Sequence, residues 1–412
     1  MKLIEDLKWR GLLYQVTDES IEQKLNEEKM TFYLGADPTA NSLHVGHLLA
    51  YLVAKRLTDY GHQPILLIGG GTGLVGDPSF KKSERQLLTI EESLKNAEGI
   101  ANQVKRILPN TKIVNNYDWI SSLNAIEFLR DIGKNFSVTY MMNKDSVKSR
   151  IETGISFTEF AYQILQAWDF EHLYKNFDCQ MQIGGQDQWG NITAGLELIR
   201  KIHTSEAKAY GITFPLVTKA DGTKFGKTES GTLWLDKEKT SPYEFYQYWI
   251  NTSDSDVIMR LKQFTFLSRK EIEALETQVK ECPERREAQK VLAEEVTKIV
   301  HGQSELEKAI KVTRALFSGK IKDLTVEEIE MGFKGLNSHE TTEEPLLVDA
   351  LINVELVKSK REAREMIKNN AISVNGEKVQ DMNFLLTKAA AFGNQYTVLR
   401  KGKKKYAVIK HK

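Results

Sequence analysis

Two apolar runs, residues 30–34 (Met-Thr-Phe-Tyr-Leu) and 64–68 (Pro-Ile-Leu-Leu-Ile), limit most strongly what this chain can become. Between them, residues 43–60 carry the apolar sequence Leu48-Leu49-Ala50-Tyr51-Leu52-Val53-Ala54 of a buried helix. A strand that is apolar at nearly every position has no face for water, so it belongs in a parallel sheet covered on both sides. The expected fold is therefore α/β, built on a Rossmann-like parallel sheet. The turn joining strand to helix is the chemically dense part. Asp37-Pro38-Thr39 reads as a turn, Asn41 or Ser42 as an N-cap, and His44 and His47 then fall in the first turns of the helix. Free N–H groups and the positive end of the helix dipole favour an anion such as phosphate there. Gly46 carries no side chain, which lets a flat group lie against the backbone.

At 412 residues the chain exceeds one ordinary core, and roughly 150 residues per domain suggests about two to four domains. Cys179 and Cys282 are the only cysteines, too few for a disulfide framework or a thiolate metal site, which fits a reducing cytoplasm. Residues 1–10 interrupt their apolar positions with Lys2, Glu5, Asp6, Lys8 and Arg10, as an amphipathic helix does and a signal peptide or membrane span does not. Charge is segregated. Residues 345–412 hold 14 Lys and Arg against 6 Asp and Glu, a local balance of +8 that leaves −7 for the rest of a chain whose total is +1. A basic module on a mildly acidic body suits binding of a polyanion, although a solvated basic tail has the same composition.

After the second strand comes Gly69-Gly70-Gly71-Thr72-Gly73-Leu74-Val75-Gly76-Asp77-Pro78. Gly71, Gly73 and Gly76 satisfy G-x-G-x-x-G, but a dinucleotide fingerprint opens a helix, whereas Pro78 and the basic loop 81–85 follow here. The stretch reads as a loop beneath a ligand, with Asp77 placed to receive an ammonium group. Helical segments at 90–108 and 125–135 flank a short strand at 112–114. The pattern over 156–174 is helical and largely apolar, interrupted by Tyr162, Gln166 and Asp169, whose spacing puts all three on one face. A solvated face would favour Lys and Glu; this stripe suits a small polar ligand. A strand then ends in Gly184-Gly185-Gln186-Asp187-Gln188 before a helix at 192–200, and a further strand is expected at 213–218. It leads into the loop 219–231, where three lysines and three glycines can bring mobile positive charge to phosphate. A solvated turn would have the same residues.

Residues 241–319 read as consecutive helices. The polar stretch 334–344 reads as a linker. In the basic module, two short helices precede Asn375-Gly376, which joins strands at 371–374 and 377–380 as a two-residue hairpin.

Five stretches together carry a resemblance: Tyr33-Leu34-Gly35-Ala36-Asp37-Pro38-Thr39, Gly73 to Pro78, Ile151-Glu152-Thr153-Gly154-Ile155-Ser156-Phe157-Thr158-Glu159-Phe160, Gln186-Asp187-Gln188-Trp189-Gly190-Asn191 and Lys224-Phe225-Gly226-Lys227-Thr228. In this order they resemble the class I aminoacyl-tRNA synthetases, specifically the bacterial tyrosyl-tRNA synthetases, over nearly the whole chain. The resemblance implies a Rossmann-like catalytic domain over 1–220, with a dimer-forming insertion near 118–160. The lysine loop and an α-helical anticodon-binding domain would occupy 221–320, a linker 321–344, and an S4-like α+β RNA-binding domain 345–412. It implies tyrosine attacking the α-phosphorus of ATP to give tyrosyl-adenylate, followed by transfer to tRNA(Tyr). ATP, accompanied by Mg²⁺, is then a substrate and not a resident cofactor. The implied partners are L-tyrosine, ATP, tRNA(Tyr) and a second copy of the chain, in the cytoplasm and away from membranes.

The same resemblance assigns residues. Tyr33 and Asp169 would meet the phenolic hydroxyl of tyrosine, and Asp77, Tyr162, Gln166 and Gln188 its ammonium group. Asp37, Thr39, His44, Gly46, His47, Asp187 and Lys227 would bind ATP, with Asp187 at the ribose. His44, His47, Lys81, Arg85, Lys224, Lys227 and Thr228 would stabilise the phosphates during the reaction. No protein general base is required, because the tyrosine carboxylate is already a nucleophile. A nicotinamide-dependent oxidoreductase rests on the three glycines alone, and a non-catalytic RNA-binding protein leaves the histidines and lysines unexplained. His44 and His47 as metal ligands have no third ligand near them in sequence, so no metal site is expected.

Overall fold

The computed structural model describes residues 2–79, 88–144, 147–148, 150, 154–204, 206–218, 225–228, 231–402 and 405–412. Its six-stranded sheet contains β1 (Gln15–Val16), β2 (Thr31–Ala36), β3 (Gln63–Ile68), β4 (Lys112–Asn115), β5 (Cys179–Gly185) and β6 (Tyr210–Phe214). The spatial order is β1-β6-β5-β2-β3-β4. All neighbours are parallel except β1, which pairs antiparallel with β6. Chain order reverses between β2 and β5, and the carboxyl ends of two such strands open a crevice where α/β sheets take their ligands.

The apolar strands are covered as their composition requires. Tyr33, Ile65 and Leu67 pack with Phe170 and Leu173 of the helix Phe157–Phe177 and with Ile192, Leu196 and Ile199 of the helix Trp189–His203. Burial of each large side chain stabilises by about 1.5–3 kcal/mol, so this cluster holds the long helix rigidly against the sheet. The strand expected at 213–218 ends at Phe214 instead. Pro215 has no N–H to give the ladder, and the pairing slides back so that Tyr210 to Phe214 match Met181 to Gly185. The helix expected over 125–135 is irregular, with an α turn at Ala125–Glu127, a π turn at Phe128–Ile132 and a 3-10 turn at Gly133–Asn135.

Contacts divide the chain into two units, Met1–Asp236 with Ser253–Ala288, and Lys237–Thr252 with Gln289–Lys412. The expected all-α segment 221–320 is thus shared between them. In the first unit, Arg10 donates to Asp6 and to the carbonyls of Lys262, Thr265 and Leu267. That buried network ties the N-terminal helix Leu3–Trp9 to the turn after the helix Asp254–Phe264.

In the second unit, a five-stranded sheet runs in the order Glu377–Lys378, Ile372–Val374, Tyr396–Lys401, Lys405–His411, Ser338–Thr341. Asn375 and Gly376 both take positive φ, 49° and 89°, as a tight hairpin turn demands. Residues 321–344 are not a linker. They contain the helix Val326–Phe333 and the edge strand Ser338–Thr341, and Ile321, Leu324, Ile329 and Phe333 share a core with Val312, Val398 and Val408. The polar composition of 334–344 conceals this because an edge strand is held by its backbone bonds to Val408 to His411, not by apolar side chains.

Candidate active site

His44 is the N-cap of the helix Val45–Asp59: its Nδ1 accepts from Gly46 N at 3.1 Å, and His47 Nδ1 accepts from His44 N at 3.3 Å. With both Nδ1 atoms accepting, each neutral ring carries its hydrogen on Nε2. The rings stack 3.8 Å apart at 21°. The backbone N–H groups of residues 44–47 are themselves taken, by the two Nδ1 atoms, Leu233 O and His44 O. What the helix mouth presents to an anion is therefore the pair of imidazole Nε2–H groups and the positive end of the helix dipole. Neither ring is free to chelate through Nδ1.

A cavity of about 440 Å³ runs from these histidines to the interior of the sheet. Its lining brings together Tyr33, Asp37, Thr39, Gly46, Asp77, Tyr162, Gln166, Asp169, Asp187 and Gln188. Tyr162, Gln166 and Asp169 share the face that their spacing predicts. At the mouth of β5, Gln188 donates to Asp77 at 2.9 Å and to Asp187 at 3.1 Å, while Gln166 donates to Gln188 at 3.3 Å and accepts from Asn191 at 2.9 Å.

The inner end is buried. Tyr33 is 1% exposed and its hydroxyl has no hydrogen-bond partner among the described residues. Burial, reinforced by the nearby Asp169, pushes its phenol well above the ordinary range. Asp169 is also 1% exposed, and burial raises its carboxyl to about 8 although Asn116 and Trp119 both donate to it. Burial and the charges of Asp37 and Asp77 likewise hold the Tyr162 phenol up.

The lysine loop meets the histidine pair. Val45 N donates to Leu233 O, Leu235 N to Leu43 O, and Leu233 N to Gly226 O, so the chain leaving the loop pairs with the mouth of the helix. His44 bridges Trp234 in antiparallel fashion. Gly226 has φ +77°, and a Cβ there would stand 2.5 Å from Val45 Cγ1; only glycine allows this approach. Lys81, Arg85 and Lys224 lie outside the described residues. Lys227–Thr228 forms a short strand with Gly231–Thr232, and the Lys227 and Thr228 side chains are likewise outside the description.

Residues 25–318 match the family described as "tRNA synthetases class I (W and Y)", and residues 328–409 match "Tyrosine--tRNA ligase SYY-like C-terminal domain". The tyrosine--tRNA ligase of Geobacillus stearothermophilus is 59% identical over 420 residues, covering 100% of both chains. Tyrosine--tRNA ligase 1 of Bacillus subtilis is 56% identical over 419 residues, covering 100% of this chain and 99% of that one. The chain belongs to the class I tyrosyl-tRNA synthetases. It attaches tyrosine to its tRNA at the expense of ATP, through tyrosyl-adenylate. Among solved structures of the family, a C-terminally truncated mitochondrial tyrosyl-tRNA synthetase from Aspergillus nidulans superposes with a TM-score of 0.69 at 33% identity, covering 77% of this chain and 94% of that one.

For a tyrosyl-tRNA synthetase site, four residues escape a reading by motif. Asn116 Nδ2 donates to Asp169 at 2.8 Å and to Thr72 Oγ1 at 3.0 Å, and Trp119 Nε1 donates to Asp169 at 2.8 Å. Thr72 in turn donates to Asp37 at 2.8 Å, and Asp37 accepts from Tyr162 at 2.8 Å. One hydrogen-bonded chain thus links Asp169 to Tyr162 along the cavity. Gln182 sits beside Tyr33 in register on β5, 3% exposed, with a carbonyl oxygen that has no partner among the described residues. A polar side chain inside an apolar strand was its signal; Asn116 and Trp119 carry none. The glycine spacing 71, 73, 76 does not open a nucleotide-binding helix, since Thr72–Leu74 is a single 3-10 turn.

Proposed function

We propose that the cavity holds the reacting tyrosine and ATP end to end. The phenol lies between Tyr33 and Asp169, the ammonium group among Asp77, Tyr162, Gln166 and Gln188, the ribose at Asp187, and the phosphates at Thr39, Gly46, His44 and His47. Asp37, expected at ATP, is assigned instead to the ammonium end, because its carboxylate already accepts from Tyr162 and Thr72. The observation that carries this reading is the buried, unpartnered Tyr33 hydroxyl beside Asp169. A buried polar group without a partner is costly, so the inner end favours a ligand that supplies one and rejects phenylalanine, which cannot.

In the first step a tyrosine carboxylate oxygen bonds to the α-phosphorus while the bond to the β-phosphate oxygen breaks, releasing pyrophosphate. The chain contributes alignment and donors for charge growing on the phosphates. His44 and His47 Nε2–H groups are those donors on one side. Lys81, Arg85, Lys224, Lys227 and Thr228 are assigned to the departing pyrophosphate on the other. The pairing of residues 233–235 with 43–45 supports this for the loop that carries Lys227. The phosphate end presents imidazole N–H groups, which are donors and not the oxygen ligands that Mg²⁺ takes, so Mg²⁺ enters bound to ATP and not in a protein cage. The basic segment 345–412 takes the tRNA.

A homodimer is supported by the large apolar side chains Ile126, Leu129, Val138 and Phe157, which are 70%, 56%, 61% and 72% exposed. A second copy is the natural cover for them, and sedimentation equilibrium is expected to return twice the chain mass. Free Cys179 and Cys282 fit a cytoplasmic location; among the described residues no helix is long and apolar enough to cross a membrane. Tyrosine-dependent exchange of labelled pyrophosphate into ATP tests the site. Exchange above a no-tyrosine control that disappears in His44→Ala and His47→Ala is expected; full exchange in both variants would overturn the phosphate assignment.

A further inference from the structure

His172 stands one helical turn beyond Asp169 on the helix Phe157–Phe177. Its imidazole lies flat on the Trp119 indole, with centroids 4.3 Å apart and planes at 13°. Trp168 meets the imidazole edge-on at 6.5 Å and Phe177 tilts against it at 6.2 Å. The same indole donates through Nε1 to Asp169 Oδ1 at 2.8 Å. Neither Trp119 nor His172 lines the substrate cavity; both line a separate open groove of about 610 Å³, together with Leu94, Ile113, Val114 and Phe177. The stack is therefore the wall between that groove and the buried Asp169 carboxyl.

We propose that His172 is a positioning residue for tyrosine specificity: its ring clamps the Trp119 indole in the orientation from which Nε1 holds Asp169 in place for the phenol. The groove is the open side of the stack, bordered by both rings. The imidazole covers one face of the indole in the orientation that makes the bond, while Trp119 also packs against the core that holds Tyr33, Ile65 and Leu67. Once the indole turned away, Asp169 would lose one of its two donors and gain access to water through the wall. Both changes fall on recognition of the hydroxyl and neither on the phosphates. The inference rests on the reading of Asp169 as the group that meets the phenol.

Pyrophosphate exchange with tyrosine and with phenylalanine tests it on the full chain. Loss of an aromatic stack of this kind predicts about a three- to tenfold rise in KM for tyrosine in His172→Ala. The tyrosine-to-phenylalanine ratio of kcat/KM should narrow, while kcat and KM for ATP hold. His172→Phe keeps a flat ring and should restore wild-type KM. In a Trp119→Phe background, which has no donor, His172→Ala should add nothing, since the two residues act through one bond. If His172→Ala does not accumulate as folded protein, His172→Leu fills the space without a flat ring and is read in the same way. Wild-type KM and discrimination in these variants, or additive effects in the double variant, would overturn the proposal, even if Tm falls. Asp169→Asn separates the two layers of argument. If it leaves discrimination intact, the reading of Asp169 is wrong; if it abolishes discrimination while His172→Ala does not, only the positioning role is lost.

Discussion

Tyr33 and Asp169 show how two side chains are held in readiness by burial. The Tyr33 hydroxyl, enclosed without a partner among the described residues, is costly in the free protein, and a phenol bound as proposed would relieve that cost. Tyr33→Phe should therefore leave Tm unchanged or slightly raised, while KM for tyrosine rises by roughly two- to tenfold, as loss of a hydrogen bond of about 0.5–1.5 kcal/mol predicts; calorimetry and pyrophosphate exchange check the two halves. Asp169 gives a pH signature. Its folded value of about 8 lies above the ordinary 3.8, so the folded chain favours the protonated acid. The stability this confers is complete below pH 3.8 and is lost as pH rises through about 8. Relative to Asp169→Asn, wild-type Tm should thus decline steadily from pH 5 to pH 8, and parallel melting curves of the two proteins would contradict it.

The unit formed by β2, its turn and the helix Val45–Asp59 concentrates the chemistry because three local rules agree there. An apolar strand delivers the chain to the crevice, a polar turn reverses it, and a histidine caps the helix with its own ring. The cap also fixes the ring orientation, so the element is sensitive to added bulk. A Cβ on Gly46 would lie 2.9 Å from His44 Cε1 and 3.0 Å from Nδ1. Gly46→Ala should displace the imidazole and slow adenylate formation by about ten- to a hundredfold, or 1.4–2.7 kcal/mol of barrier. KM for tyrosine should hold, since Tyr33 lies at the other end of the cavity; stopped-flow measurement of adenylate formation separates the two parameters. The helix Phe157–Phe177 is the second such element, presenting Tyr162, Gln166 and Asp169 on one face and Phe170 and Leu173 to the sheet core.

Across the whole molecule, the site belongs to the first unit, and the basic C-terminal sheet shares a core with helices of the second. A cut at residue 344 would therefore strip Val398 and Val408 from Ile321, Leu324, Ile329 and Phe333. A point substitution divides the functions more cleanly. Phe333→Ala should destabilise the second unit by about 3–5 kcal/mol, the usual range for a buried phenylalanine. At low temperature pyrophosphate exchange should persist, and on warming tRNA charging should fail first. Simultaneous loss of both activities would show that the units unfold together.

Much of this was legible in the chain as written. Periodicity, caps and turn residues act between neighbours a few positions apart, so β2, β3, the capped helix, the polar stripe and the Asn375-Gly376 hairpin follow from residue order alone. Residue order does not specify which distant groups complete them. Asn116 and Trp119 reach Asp169 only because β4 sits at the sheet edge beside β3, and residues 233–235 meet 43–45 only because the loop after β6 returns across the crevice. The helix Val326–Phe333 was hidden for the same reason, its apolar face having meaning only against Val398 and Val408. Local chemistry thus determined the donors and acceptors this protein has to offer. Packing between segments far apart in sequence decided which are buried, and therefore which pKa values move and which hydroxyl waits for a partner.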